Sequence, residues 1–354
     1  MKSKKILKKT IGLLVVILFI AMNVIAIFQA YKFTHFVDPD PSIQKRSKEL
    51  STTDKIKILF LGIDNERPID DSLPKQKFET IKLQSNKTIE CWSIKTDSAK
   101  GTVILFHGYV DDKSKELNKS DVFLKLGYNT FLVDFMGSGG SEGNQTTIGY
   151  KEAEEVKTAY DYLIKSGEKN IYLYGTSMGA AAILKAINDY NIKPKGILIE
   201  CPYGSLYQAT VNRFKLMGVP SFPLAGMLVF WGGIENGFWA FSLKPTDYAK
   251  AVTCPTLLMY GGKDQKVIPE ETNDIYSNLN GWKELKIYPL SAHEDYLIKY
   301  RERWTRDVNT FLKRVSSGNI PSSQIRKDNN ANQKSEQDNE DTDAAEVLPQ
   351  LLHH

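Results

Sequence analysis

The stretch Tyr174-Gly175-Thr176-Ser177-Met178-Gly179-Ala180-Ala181, reading YGTSMGAA, follows directly on the apolar run Ile171-Tyr172-Leu173. Glycine on both sides of a serine, between a β-rich run and an alanine-rich helix former, is the pattern of a strand–turn–helix elbow that holds a hydroxyl outward. The glycines are needed because so tight a turn leaves no room for side chains beside the serine backbone. G-x-S-x-G is also short enough to arise by chance, and a Gly/Ala-rich helix start serves tight packing equally well. The rest of the chain has to decide between the two.

Around this stretch the chain has a regular rhythm. VILFHG (103–108), TFLVDF (130–135), NIYLYG (170–175), GILIE (196–200), TLLMYGG (256–262) and LKIYP (285–289) are short, bounded and rich in β-formers. Such near-continuous apolar runs suit strands covered on both faces. Helical patterns over 113–126, 147–166, 178–191 and 296–314 alternate with them, which predicts an α/β fold with a doubly wound, mostly parallel sheet and flanking helices. Residues 77–94 hold two alternating runs joined by Ser85-Asn86-Lys87, an antiparallel hairpin that opens the sheet. Residues 203–250, rich in Phe, Trp, Gly and Pro, interrupt the rhythm and read as a small helical cap inserted in a domain spanning 76–315. Within the cap, Val219–Ile234 is apolar, but its prolines and its length count against a second membrane span.

The two ends differ from this body. The first nine residues carry five lysines and no acid, and residues 11–30, IGLLVVILFIAMNVIAIFQA, contain no charge. Twenty apolar residues span a bilayer core as a helix. The lysines before it predict a single-pass signal-anchor with residues 1–10 in the cytoplasm and the rest of the chain exported. A cleaved signal peptide is the rival, since Val24-Ile25-Ala26 has small-residue character, although the apolar stretch continues beyond that point. Residues 31–75 form a connector that includes the stiff Asp38-Pro39-Asp40-Pro41; in it Lys55–Leu61 is expected to be a short helix capped by Ser51-Thr52-Thr53. From Ser316 to the end the chain is polar and free of aromatics, a composition that cannot order itself.

The net charge of +4 averages these unlike ends. No basic stripe with interleaved aromatics runs through the middle, so nucleic acid is not an expected partner. Three cysteines, Cys91, Cys201 and Cys254, give an odd count without framework spacing, and a buried free thiol is expected at Cys254. No metal-ligand motif occurs, and no cofactor is implied.

Ligands of such sheets bind at the carboxyl ends of the strands, so the polar residues at those ends are the candidates. A nucleophilic Ser177 needs a base. Of five histidines, His35 adjoins the apolar helix, His353 and His354 end the tail, and His107 stands at the end of an early strand, where a structural bond to loop backbone is expected. His293, after the last strand in Ala292-His293-Glu294-Asp295, is left as the base. The orienting acid should precede it at a strand end: Asp264 in Gly261-Gly262-Lys263-Asp264 fits, and Glu200 at the end of GILIE is the rival. Backbone N–H groups of Met178, at the helix start, and Tyr109, in the loop after the first parallel strand, are placed to form an oxyanion hole.

His107-Gly108-Tyr109, DFMGSGGSEG at 134–143, GTSMG at 175–179 and GGKD at 261–264 followed by AHED at 292–295 together resemble the α/β-hydrolase family over roughly residues 77–315. The resemblance is to its monoacylglycerol-lipase-like and serine-aminopeptidase-like branch, including membrane-anchored bacterial members with a short cap. It implies the same triad, Ser177, Asp264 and His293, and the same oxyanion donors, Tyr109 and Met178. Many relatives have Arg where this chain has Met136, which puts a structural hydrogen-bond network in doubt. The expected activity is hydrolysis of a carboxylic ester in a small acyl substrate through an acyl-enzyme. The alternatives are an aminopeptidase-like peptidase, for which Glu200, Glu235 and Asp247 are candidate amine partners, and a catalytically silent binding module. The cap aromatics Phe214, Phe222, Phe230, Trp231, Phe238 and Trp239 fit either an apolar acyl or aryl site or the cap's own core.

Overall fold

Each of the six apolar runs forms a strand. In a computed structural model, which describes residues 2–39, 62 and 64–320, an eight-stranded sheet has the order β10-β9-β8-β7-β5-β6-β4-β3. Its strands are β3 Phe78–Gln84, β4 Thr88–Ile94, β5 Thr102–Phe106, β6 Asn129–Val133, β7 Ile171–Thr176, β8 Gly196–Glu200, β9 Thr256–Gly261 and β10 Lys283–Tyr288. β3 and β4 form the expected antiparallel hairpin, β4 is antiparallel to β6, and every other pairing is parallel. A separate two-stranded parallel ladder pairs β1, Phe36–Val37, with β2, Asn65–Glu66. The expected helix at 55–61 and the tail beyond 320 lie outside the described residues.

The sheet is covered on both faces, which is why its central strands carry no polar alternation. α3 (Glu152–Lys165) and α4 (Met178–Tyr190) bury Val156, Ala159, Ile183 and Ile187 against one face; α2 (Leu117–Lys125) and α10 (Arg301–Ser317) bury Phe123, Trp304 and Phe311 against the other. Three helices differ from the periodicity. The expected 113–126 helix begins as a 3-10 turn over Lys113–Glu116. The 296–314 helix is broken at Tyr300 into α9 (Tyr296–Lys299) and α10, which continues to Ser317 and is stopped by Gly318 in the left-handed region. The 147–166 helix starts only at Glu152, because residues 146–149 wrap its buried carboxylate. Thr146 Oγ1, Thr147 N, Thr147 Oγ1 and Gly149 N all donate to Glu152, and four donors on one carboxylate outcompete another helical turn.

The cap follows β8 and consists of α5 (Leu206–Leu216), α6 (Leu224–Asn236), a 3-10 turn over Ala240–Ser242 and α7 (Pro245–Tyr248), while α8 (Pro269–Asn278) follows β9. Ser205 caps α5, its hydroxyl accepting from Gln208 N. At the other end of the chain, α1 runs without a break from Lys2 to Thr34, and it is long and apolar enough to cross a membrane. Ile6, Leu13, Leu14, Phe19 and Ile20 on it are exposed, whereas Ala26 and Ala30 are buried against α6. Trp231 Nε1 of α6 donates to Asn23 Oδ1 at 3.0 Å, and Asn236 Nδ2 donates to Thr34 Oγ1 at 3.1 Å. At thirteen residues, α6 is too short to span a bilayer; it lies along the C-terminal part of α1. Cys91 and Cys201 are buried, while Cys254 is only half-buried, because the Cys254-Pro255 entry to β9 lies at the surface end of the strand.

Candidate active site

Ser177 sits between β7 and α4 with φ 50° and ψ −103°, a conformation that a non-glycine residue rarely adopts. The turn is held from both sides: Ser177 N donates to Glu200 O at 2.8 Å, and Ser177 O accepts from Ala181 N at 3.0 Å. The glycine requirement is steric. A Cβ on Gly175 would stand 2.7 Å from Ala180 N, and one on Gly179 would stand 2.3 Å from Phe106 O. Three of the other non-glycine residues with positive φ, Val110, Ile148 and Cys201, surround the same spot. Such strain persists only where the surroundings overdetermine it, and it concentrates at functional sites.

His293 and Asp264 reach this serine from the other strand ends. His293 Nε2 lies 3.1 Å from Ser177 Oγ, and Nδ1 lies 2.7 Å from Asp264 Oδ2. Asp264 is fixed by its other oxygen, which accepts from Lys266 N at 2.8 Å and Val267 N at 3.0 Å. Burial opposes a charged His293 ring, but the Cys201 sulfur and the Asp264 carboxylate facing it outweigh burial and raise its pKa to about 10. Nothing in the sequence singles out Cys201, which lies one residue past the end of β8; its sulfur comes within 4.8 Å of ligating atoms of both Asp264 and His293.

Glu200, the rival acid, does not reach the histidine. Its side chain turns to the opposite face of the sheet, where Oε1 accepts from Trp304 Nε1 at 2.6 Å. There it joins a buried group in which Lys119 Nζ lies 3.2 Å from Glu116 Oε2 and 3.6 Å from Asp295 Oδ1. His107 is structural: Nδ1 lies 2.7 Å from Gly108 O, and Nε2 accepts from Phe135 N at 3.0 Å. Of the peptidase candidates, Glu235 is on α6 outside the nucleophile's pocket, and Asp247 is paired at the surface with Lys250.

Met178, the first residue of α4, has no intrahelical carbonyl for its N–H, and with Tyr109 it lines a small pocket against Ser177. Phe33, Ile148, Tyr203, Leu206 and Arg213 are among the other residues that line it. Arg213 is half-buried there; its Nη1 donates to Ala209 O at 3.1 Å, and no acid stands within salt-bridge distance of it among the described residues. Neither Phe33 nor Arg213 is legible as a site residue from the sequence, because one ends the apolar helix and the other reads as an ordinary cap cation. At Met136 the backbone makes the contact: Met136 N donates to Glu155 Oε2 at 3.0 Å, and burial pushes this carboxyl well above its usual range.

Among the described residues two groups have metal-ligand spacing. In one, Asp70, Glu90 and Asp134, the Lys113 ammonium already lies between the carboxylates. The other is Cys201, Asp264 and His293, whose atoms are engaged as described above.

A mostly parallel sheet with this serine elbow, together with its relatives, makes the chain a member of the α/β-hydrolase superfamily. Residues 97–224 match the serine aminopeptidase family, and residues 241–347 match the family of the PhoPQ-activated pathogenicity-related protein. Protein YqkD of Bacillus subtilis is 23% identical over 232 residues, covering 64% of this chain and 76% of its own. The lysophosphatidylserine lipase ABHD12 of Danio rerio is 22% identical over 229 residues, covering 59% of this chain and 56% of its own. Among solved structures, the Pyrococcus furiosus esterase Pf2001 superposes with a TM-score of 0.60 at 23% identity, over 71% of this chain and 97% of its own.

Proposed function

We propose that the chain is a membrane-anchored serine hydrolase that cleaves carboxylic esters through an acyl-enzyme. The observation that carries this reading is the unbroken relay Ser177 Oγ–His293 Nε2–His293 Nδ1–Asp264 Oδ2 at 3.1 and 2.7 Å, opening on a pocket. In it, neutral His293 takes the Ser177 proton as Oγ bonds to the ester carbonyl carbon, and the N–H groups of Tyr109 and Met178 stabilise the oxyanion. His293 then gives that proton to the departing alkoxide, leaving the acyl group on Ser177. A water deprotonated by His293 attacks this ester, and the acid leaves as the proton returns to Ser177. Asp264 holds the ring's tautomer and stabilises the imidazolium.

The pocket supports an ester over a peptide with a free amino terminus. Such a peptide carries an ammonium that needs an acid, whereas the charge lining this pocket is the Arg213 guanidinium. Arg213 would favour esters with a negative group near the acyl bond, a trait of the substrate in the ABHD12 relative's name. The lysines before α1 support an N-terminus in the cytoplasm and a catalytic domain on the other side. Turnover of a short p-nitrophenyl ester by the full chain, lost in Ser177→Ala, tests the reading. A fluorophosphonate that labels Ser177 separates an enzyme from a silent binding module, and persistent hydrolysis in Ser177→Ala would overturn the assignment.

A further inference from the structure

We infer that the last turn of α1 is a working part of the active site, with Phe33 shaping the acyl pocket and positioning the oxyanion loop through Tyr109. The inference rests on the serine-hydrolase reading and goes beyond anchoring, because a tether needs no contact with the chemistry.

A helix leaves its last four carbonyls without intrahelical partners. In α1 one of these is closed locally, by His35 N on Tyr31 O at 2.8 Å. Of the other three, one is closed by the connector's Asn65 and two by the catalytic domain. Asn65 Nδ2 donates to Lys32 O at 3.0 Å, Tyr109 Oη donates to Phe33 O at 2.7 Å, and Thr146 N donates to Thr34 O at 2.8 Å. Tyr109 is the residue whose N–H is assigned to the oxyanion hole. Its ring stacks on Phe33 with centroids 4.8 Å apart, and its hydroxyl also accepts from Asn65 Nδ2 at 3.3 Å. Burial raises the pKa of this phenol, so the hydroxyl stays protonated and continues to donate. Phe33 itself lines the pocket that holds Ser177. Thr146, bonded to Thr34, belongs to the strained loop that carries Ile148 into the opposite wall. Both loops beside the nucleophile therefore take their position from one helix end.

A loop pinned this way holds its N–H at the distance that an oxyanion requires, and small displacements of such groups lower turnover steeply. Phe33 is accordingly a positioning residue through Tyr109 and a specificity residue through the pocket wall.

The test uses the full chain in detergent, with p-nitrophenyl esters of increasing acyl length and active sites counted by fluorophosphonate, so that misfolded material does not enter kcat. Tyr109→Phe keeps the ring and the backbone N–H but removes the bond to Phe33 O; kcat should fall on the order of ten-fold with little change in KM. Phe33→Ala should shift the ratio of kcat/KM between long and short esters several-fold, and Phe33→Leu should restore most of it. Leu18→Ala, in the exposed part of the same helix, should match the parent protein. If Tyr109→Phe and Phe33→Ala behave like Leu18→Ala, the helix end is only an anchor and the inference is overturned. A parent protein that neither turns over nor labels would instead overturn the hydrolase reading on which the inference depends.

Discussion

Asp264 and Glu200 stand at the carboxyl ends of adjacent strands, and they have opposite fates. Asp264 lies three residues past β9, in a turn whose backbone N–H groups of Lys266 and Val267 hold one oxygen and aim the other at His293. Glu200 is the last residue of β8, so strand alternation assigns its side chain a face, and that face is the Trp304 side of the sheet. An acid inside a strand has its direction fixed by the pleat, whereas one in the following turn is aimed by whatever donors the turn provides. The difference separates an acid that can orient a base from one that can only hold the sheet together.

The widest gap between the two acids is in turnover. On this reading Ser177→Ala removes the nucleophile and should lower kcat by roughly 10⁴-fold or more, measured with a short p-nitrophenyl ester. Asp264→Asn should follow with a loss on the order of 10³- to 10⁴-fold, since the wrong imidazole tautomer is then favoured. Glu200→Gln should leave kcat within a few-fold and instead weaken the fold by about 1–3 kcal/mol, read by chemical denaturation. Equal losses of turnover in the two acid variants would break the distinction.

A finer separation comes from pH. Attack requires a neutral His293, and its raised pKa predicts that kcat/KM climbs with pH on a limb whose midpoint lies above 6.5. Cys201→Ala should lower that midpoint, while Glu200→Gln should not move it. The smallest effect belongs to Glu116, in the group around Glu200. Burial raises its carboxyl to about 7 from an unfolded value of 4.5, so between those values the folded state holds the extra proton. Its contribution to stability is complete below 4.5 and is lost as pH rises through about 7. Glu116→Gln should flatten this part of the stability profile.

Much of this was legible in the sequence, for reasons that particular residues make plain. The central strands appear as unbroken apolar runs because both faces are covered, and Ser177 stands out because Gly175 and Gly179 touch backbone where no Cβ fits. His293 could be reached by elimination, as the chain has so few histidines. The helix start at Glu152 was not legible, since it depends on how many donors gather on one buried carboxylate. Phe33, Cys201 and Arg213 were hidden for a related reason: Phe33 and Arg213 reach the pocket, and Cys201 reaches His293, from elements whose own patterns describe something else, a long apolar helix, a cap helix and a strand end.

Because two of its four terminal carbonyls are bonded to the catalytic domain and a third to Asn65 of the connector, α1 meets the rest of the protein at a rigid joint. A helix seated in a bilayer adjusts its tilt to the thickness of the hydrocarbon around it. On the membrane-anchored reading, a stiff joint would pass that tilt on as a lever stroke to the body that holds Ser177.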